Sequence, residues 1–445
     1  MQILNIILLL INTKSYIILP FKTREPEIKM TDDYMKQIFF NDIYINLQIG
    51  SEKEVVPINI KMNSHSFYIL NEKYNKTKNP KYTSSKSKTL IHKEKINALT
   101  YEEDFTEGNL ITDKIIFNGK NIENNFKFIL TDSLIYGIHL TDAGVIGFEI
   151  PKIQKVYLEK SIFMETLKNS SLIEKREFSI IYDNKKKDEG YFIIGEEIYN
   201  IDESDYVENA LRLIDCINIY KDIYWGFNIE NFTINGFSLD RIKNILFYNE
   251  LGVIIANYVF QNYIEKNFFA KYLNLCEKKQ FYAFGNHDHD LDSFYFYYVC
   301  KEEFNEKNFP IISFQNKKMN LTFELDYNDL FITYNHSKYF LIIFPEEIYA
   351  DKHFIFGKPF FKKYDMTFYT DSRKIGVYDK NVKKYNKFWN KIWSVIKILI
   401  IILLICVSIL IIYVIYIKLH MPRKKRINEI EDDFDYTPEK NKPLI

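Results

Sequence analysis

Short runs of Ile, Phe, Tyr and Val alternate with polar residues along most of this 445-residue chain. This period of two predicts β-strands, and clusters of Asn, Asp and Lys separate the runs as turns do. Clear examples are residues 114–118, 190–195, 228–234 and 366–369. The sequence has no heptads, no long repeat and no strand–helix rhythm, which argues against a coiled coil, a solenoid and a doubly wound sheet. The pattern therefore predicts a large all-β body.

Two continuous apolar segments, one near each end, depart from this pattern. Residues 398–417 are uncharged over 20 positions, which is about the length that crosses the hydrocarbon core of a bilayer. Trp389 and Trp393 precede this segment and a basic run, 423–426, follows it, as membrane interfaces favour. Residues 3–11 are too short to span a bilayer. They are typical of the core of a secretory signal peptide, with a buried strand or an uncleaved anchor as alternatives.

These segments predict a single-pass type I membrane protein of the secretory pathway or cell surface. Its body would be lumenal or extracellular, and its cytosolic tail would be disordered from Met421 onwards. Basic and acidic residues number 59 each, which argues against nucleic acid as a partner. Cys216, Cys276 and Cys300 lie in the body and fit an oxidising compartment. Five N-x-[ST] sequons would then be open to glycosylation, at Asn75, Asn169, Asn231, Asn320 and Asn335.

The segment 44–70, YINLQIGSEKEVVPINIKMNSHSFYIL, resembles the opening of the pepsin-like aspartic proteases. In that family an I-G turn leads to a hydrophobic strand and then to D-T-G-S. Here Ile49-Gly50 match the turn, and Lys61-Met62-Asn63-Ser64 fall on D-T-G-S. The resemblance implies that Lys61 stands in the place of the first catalytic aspartate and that Ser64 belongs to the cleft. A lysine cannot take the base role of a carboxylate.

Later segments resemble further landmarks of the same family, in the same order. Tyr101 takes the place of the flap tyrosine, whereas Ala143 and Lys358 replace aspartates of two later motifs. The resemblance implies a bilobal all-β fold with a central cleft, and a disulfide between Cys276 and Cys300. The expected boundaries are a signal peptide over 1–20, an N-terminal extension or pro-segment over 21–38, lobes over 39–200 and 201–380, a juxtamembrane segment over 381–397, a transmembrane helix over 398–417 and a cytosolic tail over 418–445.

The second catalytic loop of the family should lie within residues 245–258, ILFYNELGVIIANY. Matching Gly252 to the family's D-T-G-T places Glu250 in the aspartate position, whereas matching the preceding strand places Tyr248 there. Neither register supplies an aspartate. An ion pair between Lys61 and Glu250 would keep both groups charged, without the shared proton that the family's chemistry needs. No metal or cofactor is expected, because residues 286–292, NHDHDLD, are interpreted as a solvated loop rather than as ligands.

The sequence therefore favours a membrane-anchored protein of pepsin-like shape that has lost both catalytic aspartates and binds a peptide or protein in its cleft. One alternative is an active aspartic-type endopeptidase with a nonstandard pair that includes Glu250. Another is a sorting or scaffold receptor that acts through its surface and its tail.

Overall fold

A computed structural model describes most of the chain, in two separate units. One unit lies within residues 1–382 and is called the body; the other lies within residues 383–445. The described residues are 16–23, 34–41, 43–64, 67–74, 80–97, 107–117, 120–132, 143–150, 163–183, 185–186, 188–201, 204–219, 222–283, 293–346, 353–382 and 387–432.

Strands are the main secondary structure in the described part of the body, which confirms the predicted all-β class. Its strands in chain order are β1 (Ile17–Thr23), β2 (Ile43–Ile49), β3 (Glu54–Lys61), β4 (Phe67–Leu70), β5 (Ile91–Asn97), β6 (Glu107–Phe117), β7 (Lys120–Thr131), β8 (Gly144–Gly147), β9 (Glu177–Tyr182), β10 (Glu189–Ile194), β11 (Leu211–Asp215), β12 (Ile217–Ile219), β13 (Asp222–Tyr224), β14 (Gly226–Asn228), β15 (Glu230–Ile234), β16 (Phe237–Ser238), β17 (Asn244–Phe247), β18 (Ile254–Ile255), β19 (Cys276–Ala283), β20 (Ser293–Lys301), β21 (Ile312–Asn316), β22 (Leu321–Leu325), β23 (Phe331–Tyr334), β24 (Ser337–Phe340), β25 (Ile342–Pro345), β26 (His353–Phe356), β27 (Met366–Tyr369) and β28 (Lys374–Tyr378).

Helices are few and short in the body. They are α1 (Tyr34–Phe39), α2 (Phe163–Asn169), α3 (Tyr258–Asn267), α4 (Tyr327–Leu330) and α5 (Lys358–Lys363). Helix α3 begins at an Asn257 cap, whose side chain accepts a hydrogen bond from the Phe260 N–H, as helix N-termini favour.

A 13-stranded sheet joins the N-terminal and C-terminal halves of the body. Its strand order is β11-β28-β27-β9-β10-β1-β2-β3-β8-β4-β7-β6-β5, so strands from the last third of the body continue a sheet that the first half begins. Buried Phe178 of β9 stacks on Phe192 of β10 and on Phe368 of β27, with ring centroids 5.3 and 5.0 Å apart. Packed aromatic rings of this kind contribute to stability beyond the area they bury. The core is therefore continuous across the two halves.

The C-terminal half also forms sheets of its own. A nine-stranded sheet follows the order β14-β17-β26-β18-β25-β20-β24-β23, with β19 paired to β20. Strands β16, β15, β21 and β22 form a four-stranded sheet, and β12 pairs with β13. Cys276 and Cys300 face each other across β19 and β20 and form a disulfide, as predicted. Cys216 is a free, partly buried thiol.

Strand β1 crosses the boundary expected between a signal peptide and an N-terminal extension. It pairs with β10 and β2 in the large sheet, and its alternate residues Ile17, Leu19 and Phe21 are buried. The strand includes the end of the predicted signal segment, 1–20, and the start of the predicted extension, 21–38. Cleavage after residue 20 would divide a strand that lies between β10 and β2 in the sheet. The apolar run 3–11 lies outside the described residues.

The second unit is one long helix, α6 (Lys387–Asp432). Its segment Ile396–Leu419 is long and apolar enough to cross a membrane, and it contains the predicted span 398–417. The prediction of a disordered tail from Met421 is wrong as far as Asp432, because the helix continues that far. Residues 433–445 lie outside the described part.

Candidate functional site

The first loop of interest follows strand β3, at Lys61. Strand β3 runs parallel to β8, and Ile60 is the register partner of Ile146. On the other side of β8, the antiparallel strand β4 places Phe67 opposite the same Ile146. Ile146 thus lies between two residues that are seven positions apart in the chain. The loop that joins them begins with Lys61, the last residue of β3.

The second half repeats this arrangement around Phe356 of β26. The parallel neighbour β17 places Phe247 opposite Phe356, and the antiparallel neighbour β18 places Ile254 opposite it. These two residues are again seven positions apart, so Tyr248 follows Phe247 as Lys61 follows Ile60. Tyr248 is therefore the topological equivalent of Lys61.

The side chain of Asn249 connects the two loops. Its Oδ1 accepts a hydrogen bond of 2.8 Å from the Met62 N–H, and its Nδ2 donates one of 2.8 Å to the Ile60 carbonyl. Asn249 is fully buried and Met62 is 1% exposed, so water does not compete for these bonds. By the same seven-residue repeat, Asn249 and Met62 are equivalent positions of the two loops. The Met62 side chain cannot donate an equivalent hydrogen bond to the second loop, since a thioether has no donor.

Sequence reasoning considered the neighbours of Asn249 but missed Asn249 itself. The signal was present in the chain, because INIKMNSHSFYIL and NILFYNELGVII share a hydrophobic strand, six loop residues and a second hydrophobic strand. Aligning those spacings pairs Met62 with Asn249. The alignment by Gly252, which placed Glu250 in the second catalytic position, shifts the loop by two residues relative to the strand register.

The residues predicted for the site are all enclosed. Lys61, Tyr248 and Glu250 are 3%, 8% and 5% exposed, and Ser64 is 6% exposed. The Ser64 carbonyl accepts a hydrogen bond of 2.9 Å from the Glu149 N–H, which fixes the end of the first loop against the chain that follows β8. The structure thus brings both loops to one buried location. The flap residue Tyr101 and the stretch 286–292 lie outside the described residues.

The segment after helix α1 closes one side of the second loop. The Asn41 N–H donates a 2.5 Å hydrogen bond to the Glu250 carbonyl, and the Gly252 N–H donates one of 2.8 Å to the Phe39 carbonyl. A Cβ atom on Gly252 would lie 1.9 Å from the Ile38 carbonyl oxygen, so only glycine permits this approach. The Asn41 amide also donates to the Asn249 carbonyl at 3.2 Å. Gly252 therefore serves backbone packing at this position.

Two residues that stand for family aspartates have structural partners. Ala143 is fully buried, and its N–H donates to the Pro57 carbonyl at 2.9 Å. Lys358 begins helix α5, and its Nζ lies 2.6 Å from Asp188 Oδ1. Burial raises the pKa of Asp188, but the hydrogen bond and the charge of Lys358 outweigh it and hold this pKa below its usual value. Lys358 thus belongs to an ion pair near the start of β10.

A β-body whose two halves carry equivalent strand–loop–strand units, joined at their loops, defines the pepsin-like class of fold. The model of the eukaryotic aspartyl protease family matches residues 43–379, which is more than half of the chain. This chain therefore belongs to the eukaryotic aspartyl protease family. A comparison with curated proteins finds no match.

Proposed function

We propose that this chain is a catalytically inactive member of its family, anchored in a membrane, that binds a peptide or protein segment in its cleft. The carrying observation is the strand register, which makes Lys61 and Tyr248 equivalent residues at the start of the two loops. Neither residue supplies a carboxylate. The chemistry of the family needs two carboxylates that share one proton around a water molecule.

Replacement of both carboxylates should lower the rate of peptide cleavage strongly. A lysine and a tyrosine at these positions provide no carboxylate base of moderate pKa. Loss of general acid–base catalysis alone lowers a rate by about 10²–10⁴-fold. The loss of the groups that position the water adds to that figure. A binding role fits this arrangement better than turnover does.

The contacts around the two loops support the proposal that the protein keeps a binding surface. The Asn249 bonds join the two loops, and the Trp225 Nε1 donates a 2.8 Å hydrogen bond to the Phe148 carbonyl, which ties the second half to the first. Preorganised surfaces bind with less loss of conformational entropy. A rigid floor between two lobes is therefore useful to a binder even without catalysis.

Full-length protein, purified in detergent, can be tested for peptide binding and peptide cleavage in one experiment. A mixture of peptides from a digested proteome is incubated with it, and mass spectrometry records which peptides are retained and whether any are cut. We expect retained, intact peptides. Ser64→Leu should reduce retention, whereas Leu273→Ala, a change at a 76% exposed position, should not. Equal retention by both variants would place the binding elsewhere.

An active enzyme with a nonstandard pair is the second candidate. It is favoured by one observation, which is that Glu250 is a buried carboxylate in the second loop. The strand register, however, makes Glu250 the equivalent of Asn63 and Tyr248 the equivalent of Lys61, so an ion pair between Lys61 and Glu250 would not join two equivalent positions. Peptide cleavage that Glu250→Ala abolishes would establish the enzyme and refute the binding proposal.

The proposed location is the secretory pathway or the cell surface, with type I topology. The disulfide between Cys276 and Cys300 and the apolar helical segment Ile396–Leu419 support it. Four of the five sequon asparagines lie in the described part and are exposed, which suits glycosylation: Asn169, Asn231, Asn320 and Asn335. A shift in gel mobility after glycosidase treatment would test this topology. A sorting or scaffold role remains a further alternative, tested by deletion of residues 433–445.

A further inference from the structure

Three glutamate side chains converge where strands β9 and β10 meet their following segments. Glu177 is the first residue of β9, and Glu196 and Glu197 come just after β10. The Gly195 N–H donates a 2.8 Å hydrogen bond to the Glu177 carbonyl, which holds the two segments together. One carboxylate oxygen from each glutamate lies within 4.8 Å of the others. The three residues are only 2%, 8% and 9% exposed.

The described surroundings of this cluster offset its charge only in part. Lys175 Nζ lies 3.3 Å from each carboxylate oxygen of Glu197 and 3.8 Å from Glu177 Oε1. The Lys175 side chain is itself 55% exposed, so solvent screens much of its charge. The Asn200 amide donates to Glu196 at 2.7 Å and to Glu197 at 3.1 Å, without adding charge. Lys175 thus offsets only part of the charge of the carboxylates that it contacts, because it is itself partly solvated.

A second observation points to a ligand. Glu177 Oε1 is closed off from solvent and accepts no hydrogen bond from any of the described residues, and the same holds for the hydroxyl oxygen of Tyr369. Tyr369 of β27 is the register partner of Glu177. Buried polar atoms in native proteins nearly always have a partner, because an unmade hydrogen bond costs about 1–3 kcal/mol.

We propose that Glu177, Glu196 and Glu197 bind a divalent cation, preferentially calcium. Ca²⁺ takes oxygen ligands at about 2.3–2.6 Å, so any two oxygens bound to one ion are separated by no more than about 5 Å, and the three carboxylates meet this condition. The ligand set contains neither His nor Cys, which disfavours zinc and copper.

The bound ion would stabilise the junction of the two halves. Strand β9 lies between β10 of the first half and β27 of the second in the large sheet. Next to the cluster, Arg176 pairs with Asp371, which follows β27, at 2.5 Å. A cation bound to Glu177 would therefore add to the stability of the contact between β9 and β27, beside the existing ion pair. This role is independent of the proposed peptide binding.

The test uses full-length protein in detergent, stripped with EDTA and titrated with calcium chloride at constant pH and ionic strength. Calcium should raise the thermal midpoint of wild type and of Glu277→Gln, a control at a 72% exposed side chain. Glu177→Gln should lose this shift and weaken calcium binding at least about tenfold, since even residues that only orient a metal ligand contribute about 10–100-fold. Terbium alone serves as a second probe, because its emission is sensitised by nearby tyrosines such as Tyr369.

The apo protein separates a ligand role from a folding defect. Glu177→Gln removes one of three repelling charges, so its midpoint without calcium should equal or exceed that of EDTA-treated wild type. A calcium shift of the same size in wild type and Glu177→Gln would place the ion elsewhere. The absence of a calcium shift in wild type would overturn the proposal and leave protonation of the carboxylates as the explanation of the cluster.

Discussion

Replacement of Asn249 by alanine should loosen the contact between the two loops. The change removes the hydrogen bonds to the Met62 N–H and the Ile60 carbonyl, each 2.8 Å long and fully buried. A typical intramolecular hydrogen bond contributes about 0.5–1.5 kcal/mol net, and a buried group left without a partner costs about 1–3 kcal/mol. Because both backbone groups lose their partner, we expect the free energy of unfolding to fall by about 2–5 kcal/mol.

Thermal unfolding of the full-length protein, followed by tryptophan fluorescence, measures this effect because Trp225 is buried in the core of the body. For a body of this size, about 3 kcal/mol corresponds to a midpoint lowered by roughly 3–5 °C. The matched control is Asn267→Ala, which removes an exposed side-chain hydrogen bond to the Tyr263 carbonyl and should cost less than about 0.5 kcal/mol. If Asn249→Ala lowered the midpoint no more than Asn267→Ala, the two loops would not depend on this contact.

Three further predictions follow from other contacts of the body. Lys358→Met should destabilise the protein at neutral pH, and this loss should shrink as the pH falls below 3.8, the unfolded pKa of Asp188, through its lowered folded pKa; a loss in thermal midpoint that stays the same across this range would show that the pair contributes nothing. Cys276→Ser with Cys300→Ser opens a loop of 24 residues and should cost roughly 3 kcal/mol, whereas an unchanged midpoint in reducing buffer would contradict this. Glu250→Ala should leave peptide retention intact, and lost retention would give this carboxylate a role in binding.

The sequence predicted the local elements well where a single strand stood alone. The segment 366–369 is a strand with the predicted bounds. The predicted strand 228–234 is instead two strands, β14 and β15, in different sheets. Ile229 lies between them, and its N–H donates to the Lys243 carbonyl at 2.7 Å. The alternation of apolar and polar residues continues from Phe227 to Glu230 and shifts only at Asn231, inside β15, so periodicity does not mark the break at Ile229.

The periodicity of the sequence could not predict which strands pair when they are far apart in the chain. Strand β1 lies between β10 and β2. Its sequence, IILPFKT, does not indicate that one of its pairing partners lies far along the chain. The second loop shows the same limit, since a single glycine suggested one register and the preceding strand another. Only the pairing of β17 and β18 around β26 fixes the equivalence of Tyr248 and Lys61.

The prediction for the charged end of helix α6 failed for a different reason. The residues after Leu419 are rich in Lys, Arg and Glu, and their polarity was interpreted as disorder. Lys, Arg and Glu are good helix formers, and the helix that the apolar segment nucleates continues through Pro422 to Asp432. Low hydrophobicity therefore did not predict the conformation of this segment.

The most direct test of the proposed function is a single-turnover assay of peptide cleavage by an excess of full-length protein, from pH 4 to pH 7.5, with each bound peptide identified by mass spectrometry. The proposal predicts that bound peptides remain intact at every pH, at the level of a protein-free blank. Cleavage that exceeds the blank and disappears in Lys61→Ala or Glu250→Ala would contradict it, because the two loops would then carry out catalysis without an aspartate pair.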